Sequence, residues 1–270
     1  MDTRHSRIMK PLRTTIVGAG NVAWSLAPAL ERGGMIKVAR VVARTHESAD
    51  ALARRLGPYV EATTDNSLAD HDVDLVIVAT TDSAVRQIAE TCPGSQAVWV
   101  HTSGSVDASE LATASPRYGV LYPMQTFTRG VEVDLSHAAI YIEASSESLL
   151  AQLKAIALTV SDNVGEADSD GRKRLHCAAV FACNFTNHLL TIAEQVAGEA
   201  GRPLSDFRQL IDETLRKAAL IGPYEGQTGP ARRGATEVME AHEALLSPQL
   251  RNIYHILSES LASTYSNESH

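Results

Sequence analysis

The sequence has few cysteines and no excess of positive charge. Its three cysteines, Cys92, Cys177 and Cys183, are too few and too widely spaced for a disulfide framework, and no metal-ligand spacing is present. The formal net charge of -8 argues against a general affinity for nucleic acid or for anionic membrane surfaces. We therefore expect a protein of the reducing cytoplasm, without a structural metal.

The sequence also lacks a long uninterrupted apolar run. Residues 1–13 carry positive charge but no apolar stretch, so we interpret them as a short disordered leader rather than a secretory signal. The most apolar run, 175–193, contains four polar side chains: His176, Asn184, Asn187 and His188. Because a bilayer span seldom carries so many polar groups, this run predicts a buried helix with polar positions and no membrane partner.

The first part of the chain alternates strand-like with helix-like runs. The strand-like runs lie at 14–18, 36–43, 59–62, 75–79, 97–101, 120–122 and 139–143. Such alternation is typical of a parallel sheet with helices on both faces. The continuous apolar run at 75–79 predicts a central strand that is buried on both sides.

The pattern becomes helical after about residue 145. Residues 146–157 predict one helix, and no convincing strand follows Asp168. Further helices are predicted at about 169–200, from Ser205 or Asp206 to Gly222, near 231–246, and from Pro248 onward. The fold class is therefore α/β, with a doubly wound domain at 14–162 and an all-helical domain at 163–270.

A glycine-rich turn follows the first predicted strand. Gly18, Gly20 and Ala23 fit the pattern G-x-G-x-x-G/A, in which the first glycine permits the tight turn and the second lets the backbone approach a pyrophosphate. The N–H groups at the start of the helix, near Asn21 and Val22, are suited to bind that diphosphate. The position between a strand and a helix favours a Rossmann dinucleotide site over a merely structural turn.

The end of the second predicted strand distinguishes between dinucleotides. An NAD site would place Asp or Glu there, whereas this chain has Arg44, Thr45 and Ser48, with Glu47 as the one nearby acid. Arg44 can pair with a 2′-phosphate, and the two hydroxyls can donate to it. We therefore expect NADP(H); the alternative for Arg44 is a solvated surface charge. The missing acid also disfavours a flavin or a methyl-donor site.

Polar residues follow the next strands at the edge where ligands bind in this topology. Ala79, Thr80 and Thr81 are expected to border the cofactor's ribose. At the end of the fifth strand, Ser103 is a candidate for binding substrate, and His101 is a candidate for catalysis or for a structural bond to a neighbouring loop.

Three further regions supply candidates. Gln125, in the cluster after the sixth strand, offers a donor and an acceptor to a substrate, although this loop could instead pack one domain on the other. On the long helix, His176, Val180, Cys183 and Asn187 recur at helical spacing and form one predicted stripe, with Asn184 beside it. In the run 228–234, Arg232 lies at a basic helix N-terminus that is suited to a carboxylate or phosphate, or to a subunit contact.

Together, five runs resemble one family. The runs Gly18–Ala23, His101–Gly104, Tyr122–Phe127, His176–His188 and Thr228–Gly234 are similar to those of Rossmann-like NADP oxidoreductases with a C-terminal DUF2520 domain. This family is related to pyrroline-5-carboxylate reductase and to 6-phosphogluconate and 3-hydroxyisobutyrate dehydrogenases. The resemblance implies a helical C-terminal domain that often builds a homodimer, with the active site in an interdomain cleft.

The chain departs from its dehydrogenase relatives at one position. Those enzymes carry a lysine four residues before an asparagine on the long helix, whereas counting back from Asn184 gives Val180. The leading hypothesis is an NADP(H)-dependent reductase or dehydrogenase that acts on a small carbonyl or imino acid, such as a ketopantoate-like 2-oxo acid or a cyclic imine. His176 is the expected proton donor, with Asn184 or a water as the alternatives, and Ser103 and the Asn184 region orient the substrate. The alternative is a non-catalytic NADP-binding sensor or scaffold.

Overall fold

The computed structural model describes residues 10–265, so most of the predicted leader lies outside the described residues. Its first compact unit, which extends to Phe181, is built on one sheet of eight strands in the order β3-β2-β1-β4-β5-β6-β7-β8. The strands are β1 (Leu12–Val17), β2 (Ile36–Val42), β3 (Glu61–Thr63), β4 (Leu75–Val78), β5 (Val98–His101), β6 (Tyr118–Pro123), β7 (Ile140–Ala144) and β8 (Val164–Glu166).

The first six strands are parallel and follow the Rossmann order, which confirms the predicted fold class. Strand β7 pairs antiparallel with β6, and β8 pairs parallel with β7. The sequence did not predict β8, because a three-residue strand with Gly165 at its centre carries no apolar alternation. The predicted domain limit at residue 162 therefore falls within the sheet of the first unit.

Helices cover both faces of this sheet. They are α1 (Asn21–Arg32), α2 (His46–Leu56), α3 (Val85–Ala89), α4 (Glu147–Leu158) and α5 (Ser169–Ala179), with short 3-10 turns between them. Strand β4 is buried throughout, as predicted. Its Leu75 and Ile77 join one apolar cluster, while Val76 and Val78 join another with Trp99. Since successive side chains of a strand point to opposite faces, the core forms two layers around the sheet.

The second compact unit begins at Ala182 and is helical in its described residues. Its helices are α6 (Thr186–Glu199), α7 (Arg208–Ile221), α8 (Pro223–Gly226), α9 (Thr236–Leu245) and α10 (Pro248–Tyr265). The predicted start of α9 near residue 231 is wrong by about five residues, because a turn closed by left-handed Gly234 (φ 64°) precedes the helix.

The predicted long helix at 169–200 is not α-helical throughout. Residues Val180–Phe185 form a π-helical turn between α5 and α6. A π-helical turn rotates each residue by less than the α-helical angle, so the single stripe predicted for His176, Val180, Cys183 and Asn187 rests on a wrong assumption. The prediction of a buried helix is also wrong for this chain, since Asn184, Asn187 and most of α6 are exposed.

Across residues 10–265 the structure has no helix that is both long and apolar enough to cross a membrane. The same residues contain no cluster of three or more His, Cys, Asp or Glu side chains that could hold a metal ion.

Candidate functional site

The glycine turn joins β1 to α1 in a conformation that only glycine adopts easily. Gly18 has φ 110°, and a Cβ atom added there would lie 2.2 Å from the carbonyl oxygen of Ala79. A Cβ atom added to Gly20 would have no neighbouring atom within 4 Å. Thus Gly18 is required by the fold itself, whereas the space above Gly20 fits a group that approaches the backbone closely, such as a diphosphate.

One cleft of about 750 Å³ opens beside this turn. Ten of the eleven residues predicted to bind the cofactor line it; the exception, Ala23, is buried beneath it at 1% exposure. Because Ala23 faces the core, it fits the packing role of the third position of the motif rather than direct contact. The ten predicted residues that line the cleft are Gly18, Gly20, Asn21, Val22, Arg44, Thr45, Ser48, Ala79, Thr80 and Thr81.

A second wall of the cleft consists of residues outside the predicted set. It includes Thr64 after β3, Asn66 in the following 3-10 turn, and Gln87, Ile88 and Thr91 on or beside α3. No local motif marks these residues; the strand order alone, which brings the ends of β3 and β4 to the same edge, would have indicated them.

The predicted 2′-phosphate site lies at the N-terminus of α2. The Thr45 side chain caps this helix, since its Oγ1 accepts from the backbone N–H of Ser48 at 3.3 Å and its hydroxyl donates to Ser48 Oγ at 2.8 Å. Arg44 is exposed immediately before it. A helix N-terminus with two hydroxyls and a guanidinium is chemically suited to a phosphate group.

His101 lies buried at the end of β5, with both ring nitrogens next to backbone groups of the following loop. It is fully buried, its Nδ1 accepts from the backbone N–H of Ser103 at 3.2 Å, and its Nε2 lies 3.4 Å from the carbonyl oxygen of Asp107. Burial, followed by the positive charge of Arg172, lowers the pKa of His101 from 6.5 to about 4. Both ring nitrogens are therefore occupied by backbone groups, and the ring is neutral at physiological pH.

Ser103 lies in the same loop with its hydroxyl partly used. Its Oγ accepts from the backbone N–H groups of Ser105 and Val106, both at 3.1 Å. The residue is half-buried, and its Oγ also lies 3.4 Å from Ser105 Oγ, whose own hydroxyl donates to Asp82. The register of β4 and β5 pairs Val78 with His101, so the Ser103 loop and the predicted cofactor residues after β4 leave the sheet side by side.

Arg172 is hydrogen-bonded to this loop. The sequence did not predict this role. The buried Arg172 guanidinium donates to the carbonyl oxygens of Ser103 (from Nε, 3.1 Å) and Val106, and pairs with the Glu143 carboxylate. Ser169 donates to the same carboxylate at 2.9 Å. In the sequence, Arg172 stands among charged residues that resemble an exposed helix face, so no local signal distinguishes it.

His176 follows Arg172 by one helical turn on α5 and contacts Tyr122 at the end of β6. The Tyr122 hydroxyl lies 3.1 Å from His176 Nδ1, and the rings meet edge to face with centroids 5.9 Å apart. Burial, followed by the nearby Tyr141, raises the pKa of Tyr122 above its usual value of 10. In the sequence, the cluster that begins at Tyr122 predicts a substrate-binding role for Gln125 and none for Tyr122.

Gln125 is exposed, and its Oε1 accepts from the backbone N–H of Thr126 at 2.8 Å. The loop that follows reaches the glycine turn, where the Arg129 backbone N–H donates to Asn21 Oδ1 at 3.2 Å. The Arg129 guanidinium lies over the Trp24 ring, 4.4 Å from its centroid. This loop therefore borders the start of α1, next to the predicted diphosphate site.

The remaining predicted residues belong to the second unit. Asn184 and Asn187 are exposed. The Arg232 guanidinium donates to the carbonyl oxygens of Gln227 and Glu225 and lies over the Tyr265 ring, 4.9 Å from its centroid. These contacts brace the turn that precedes Arg232.

Two family models match the chain. Residues 138–261 match a domain of unknown function, DUF2520, and residues 13–100 match the family described as NADP oxidoreductase, coenzyme F420-dependent. Among curated protein sequences, none matches the chain significantly.

Solved structures agree with these families. A Bacteroides fragilis protein, provisionally named an NADP oxidoreductase, is 39% identical with a TM-score of 0.87, and the match covers 94% of this chain and 99% of that one. An Aspergillus terreus reductive aminase, solved with NADPH and ethyl levulinate, is 16% identical with a TM-score of 0.67, over 94% of each chain. A Coxiella burnetii pyrroline-5-carboxylate reductase is 14% identical with a TM-score of 0.53, over 96% and 99%.

The last two likenesses show the fold alone. The identity to the Bacteroides protein over nearly the whole of both chains, together with the two matched families, establishes more. The chain belongs to the NADP oxidoreductases that join an N-terminal Rossmann domain to a DUF2520 domain, and NADP(H) is its cofactor.

Proposed function

We propose that this protein reduces the carbonyl or imine group of a small acid with NADPH, on substrates such as a 2-oxo acid or a cyclic imine. The observation that carries the proposal is the juxtaposition, at one sheet edge, of the cleft after β1, β2 and β4 with the polar loop after β5. In this topology ligands bind outside the carboxyl ends of the strands. The cleft takes the cofactor, and the loop beside it takes the substrate.

Within the cleft, the backbone at Gly18 and Gly20 and the first N–H groups of α1 hold the diphosphate. Arg44, Thr45 and Ser48 hold the 2′-phosphate, and Thr80 and Thr81 border the ribose. Bound NADPH supplies a hydride to the substrate carbon. The residues of the chain have to orient that carbon and provide a proton to the neighbouring oxygen or nitrogen.

His176 is the proposed proton donor, since it is the half-buried titratable group that packs against the loop after β5. Ser103 is the proposed substrate-binding group because its hydroxyl hydrogen can donate to a carbonyl or carboxylate. Gln125, Asn184 and Asn187 are exposed side chains that we propose as further substrate contacts. We assign Arg232 and His101 to structural support instead. Arg232 donates to backbone carbonyls, and the His101 ring contacts a backbone amide and a backbone carbonyl.

We further propose that the chain forms a cytoplasmic homodimer through its helical unit. Apolar side chains including Leu210, Leu215, Leu220, Leu245 and Ile256 are exposed there at 55% or more. Exposed apolar area of this kind in a folded protein marks an interaction surface. A second copy of the same helical unit offers a complementary apolar face.

NADPH oxidation against a panel of 2-oxo acids and cyclic imines tests the reductase proposal. We expect turnover of at least one class, and a loss of roughly 100-fold or more in kcat for His176→Gln with NADPH affinity retained. Cys177→Ser, which changes the exposed neighbour on α5, should keep wild-type turnover. Tight NADPH binding without turnover of any panel member would favour the sensor alternative, which the valine at position 180 motivates.

A further inference from the structure

Tyr122 and His176 are in contact, although the sequence around neither residue predicts this contact. Tyr122 ends a buried strand, and its side chain is only 8% exposed. The contact between its hydroxyl oxygen and His176 Nδ1 is 3.1 Å, and the ring planes are inclined by 74°. A buried phenolic O–H needs an acceptor, and an unprotonated imidazole nitrogen at this distance supplies one.

Gly104 packs against both rings of the Tyr122–His176 pair. A Cβ atom added to Gly104 would lie 2.7 Å from His176 Nδ1 and 2.8 Å from Tyr122 Cζ. The backbone at Gly104 does not have positive φ, so space rather than conformation requires glycine there. The loop after β5 therefore packs directly against both rings and restricts their rotation.

Arg172 bonds helix α5, which carries His176, to the same loop. It precedes His176 by one turn of α5, is fully buried, and donates to the carbonyl oxygens of Ser103 and Val106 on either side of Gly104. Its pairing with Glu143 adds a charge-assisted bond to the neighbouring strand β7. Helix α5, the loop and the end of β6 are thus joined by hydrogen bonds, which fixes the position of the His176 ring.

We propose that Tyr122 is the positioning residue of His176: its hydroxyl donates to Nδ1, holds the neutral ring as the Nε2–H tautomer, and directs that N–H toward the substrate's carbonyl oxygen or imine nitrogen. This role rests on the proposed function. During reduction, Nε2 gives its proton to the substrate while Nδ1 takes the phenolic proton. The ring stays neutral; the Nδ1 proton then returns to the phenolate as Nε2 takes a proton from water, which leaves hydroxide and restores the starting tautomer.

The tautomer is measured by ¹⁵N–¹H correlation spectra of the full-length protein labelled at histidine, at a pH of about 9. Imidazoles are neutral at that pH, and Tyr122 keeps its proton because burial raises its pKa. The His176 signals are assigned by their disappearance in His176→Gln. We expect a protonated Nε2 and an unprotonated Nδ1 in the wild type, and averaged tautomers in Tyr122→Phe.

Tyr141→Phe is the matched control, since Tyr141 pairs with Tyr122 in the register of β6 and β7. It should leave the His176 tautomer unchanged. A wild-type His176 protonated at Nδ1, or a Tyr122→Phe spectrum identical to the wild type, would overturn the assignment. The wild-type spectrum alone shows which nitrogen of His176 is protonated, even where the Tyr122→Phe variant does not fold.

Kinetics give a second measurement. Tyr122→Phe should lower kcat by roughly 10 to 100-fold with KM for NADPH nearly unchanged, because Tyr122 lies outside the cofactor cleft. Unchanged kcat in that variant would count against the role. The spectra require no substrate, so a tautomer result as expected with no turnover in the panel would reject the proposed function while the Tyr122–His176 pairing stands.

Discussion

The two compact units differ in how completely they bury their apolar residues. The twelve largest fully buried side chains of the described chain, from Ile16 to Arg172, all lie in the first unit. Among the residues of the second unit up to Tyr265, the buried hydrophobic ones are Ala197, Ala231 and Leu250, while eleven large apolar side chains are exposed. The Rossmann unit thus has a core of its own, whereas the helical unit exposes the apolar side chains that the proposed dimer interface would cover.

The largest predicted effect breaks the proposed helical interface. Leu220→Glu, at a side chain 69% exposed on α7, should convert a dimer to monomers, because a buried carboxylate without a partner is strongly unfavourable. Sedimentation analysis measures the change. Leu158→Glu, at a leucine 53% exposed on α4 of the first unit, is the control and should leave the dimer intact. A wild-type monomer, or equal dissociation in both variants, would contradict this interface.

The next prediction separates folding from binding within the first unit. Gly18→Ala should lower the free energy of unfolding by about 2 kcal/mol or more, because it strains a φ of 110° and overlaps the Ala79 carbonyl. Gly20→Ala should fold normally, since nothing lies within 4 Å of its Cβ atom, but should lose NADPH affinity by roughly 100-fold. Denaturation and calorimetric titration measure the two quantities. Wild-type affinity in Gly20→Ala would place the diphosphate elsewhere.

A third prediction concerns pH and the packing of the first unit. The pKa of His101 is about 4 in the folded chain and 6.5 when unfolded, so the unfolded chain binds the proton first as pH falls. Stability should therefore fall between pH 6.5 and 4, by up to about 3 kcal/mol from this residue, and change no further through it below pH 4. His101→Gln should show a shallower loss over this window in urea denaturation. An equal loss would contradict the buried neutral imidazole.

The smallest effect tests cofactor choice. Arg44→Ala should weaken NADPH binding by roughly 10 to 100-fold and spare NADH, as expected for a lost charge-assisted contact. Arg54→Ala, which changes an arginine of α2 that is paired with Asp50, should change neither affinity. An equal loss of NADPH and NADH affinity in Arg44→Ala would contradict the 2′-phosphate assignment.

The sequence predicted the features that local chemistry determines. The glycine turn and the buried strand β4 each depend on residues close together in the chain, so their patterns were sufficient. That ten of the predicted cofactor residues line one cleft could also be predicted, because strand ends of a parallel sheet meet at one edge.

The features that the sequence missed depend on distant contacts. Arg172 is buried only because Glu143 and the carbonyls of Ser103 and Val106 surround it, and nothing near position 172 encodes those partners. Tyr122 meets His176 across 54 positions of the chain. The π-helical turn at Val180–Phe185 looks like ordinary helix in the sequence, and the exposure of α6 cannot be deduced from an apolar run alone.

A crystal structure of the full chain soaked with NADPH tests the central claim most directly. We expect the 2′-phosphate to lie against Arg44, Thr45 and Ser48, and C4 of the nicotinamide to face the side of the sheet where His176 contacts Tyr122. A 2′-phosphate bound away from α2, or a nicotinamide directed away from His176, would contradict it.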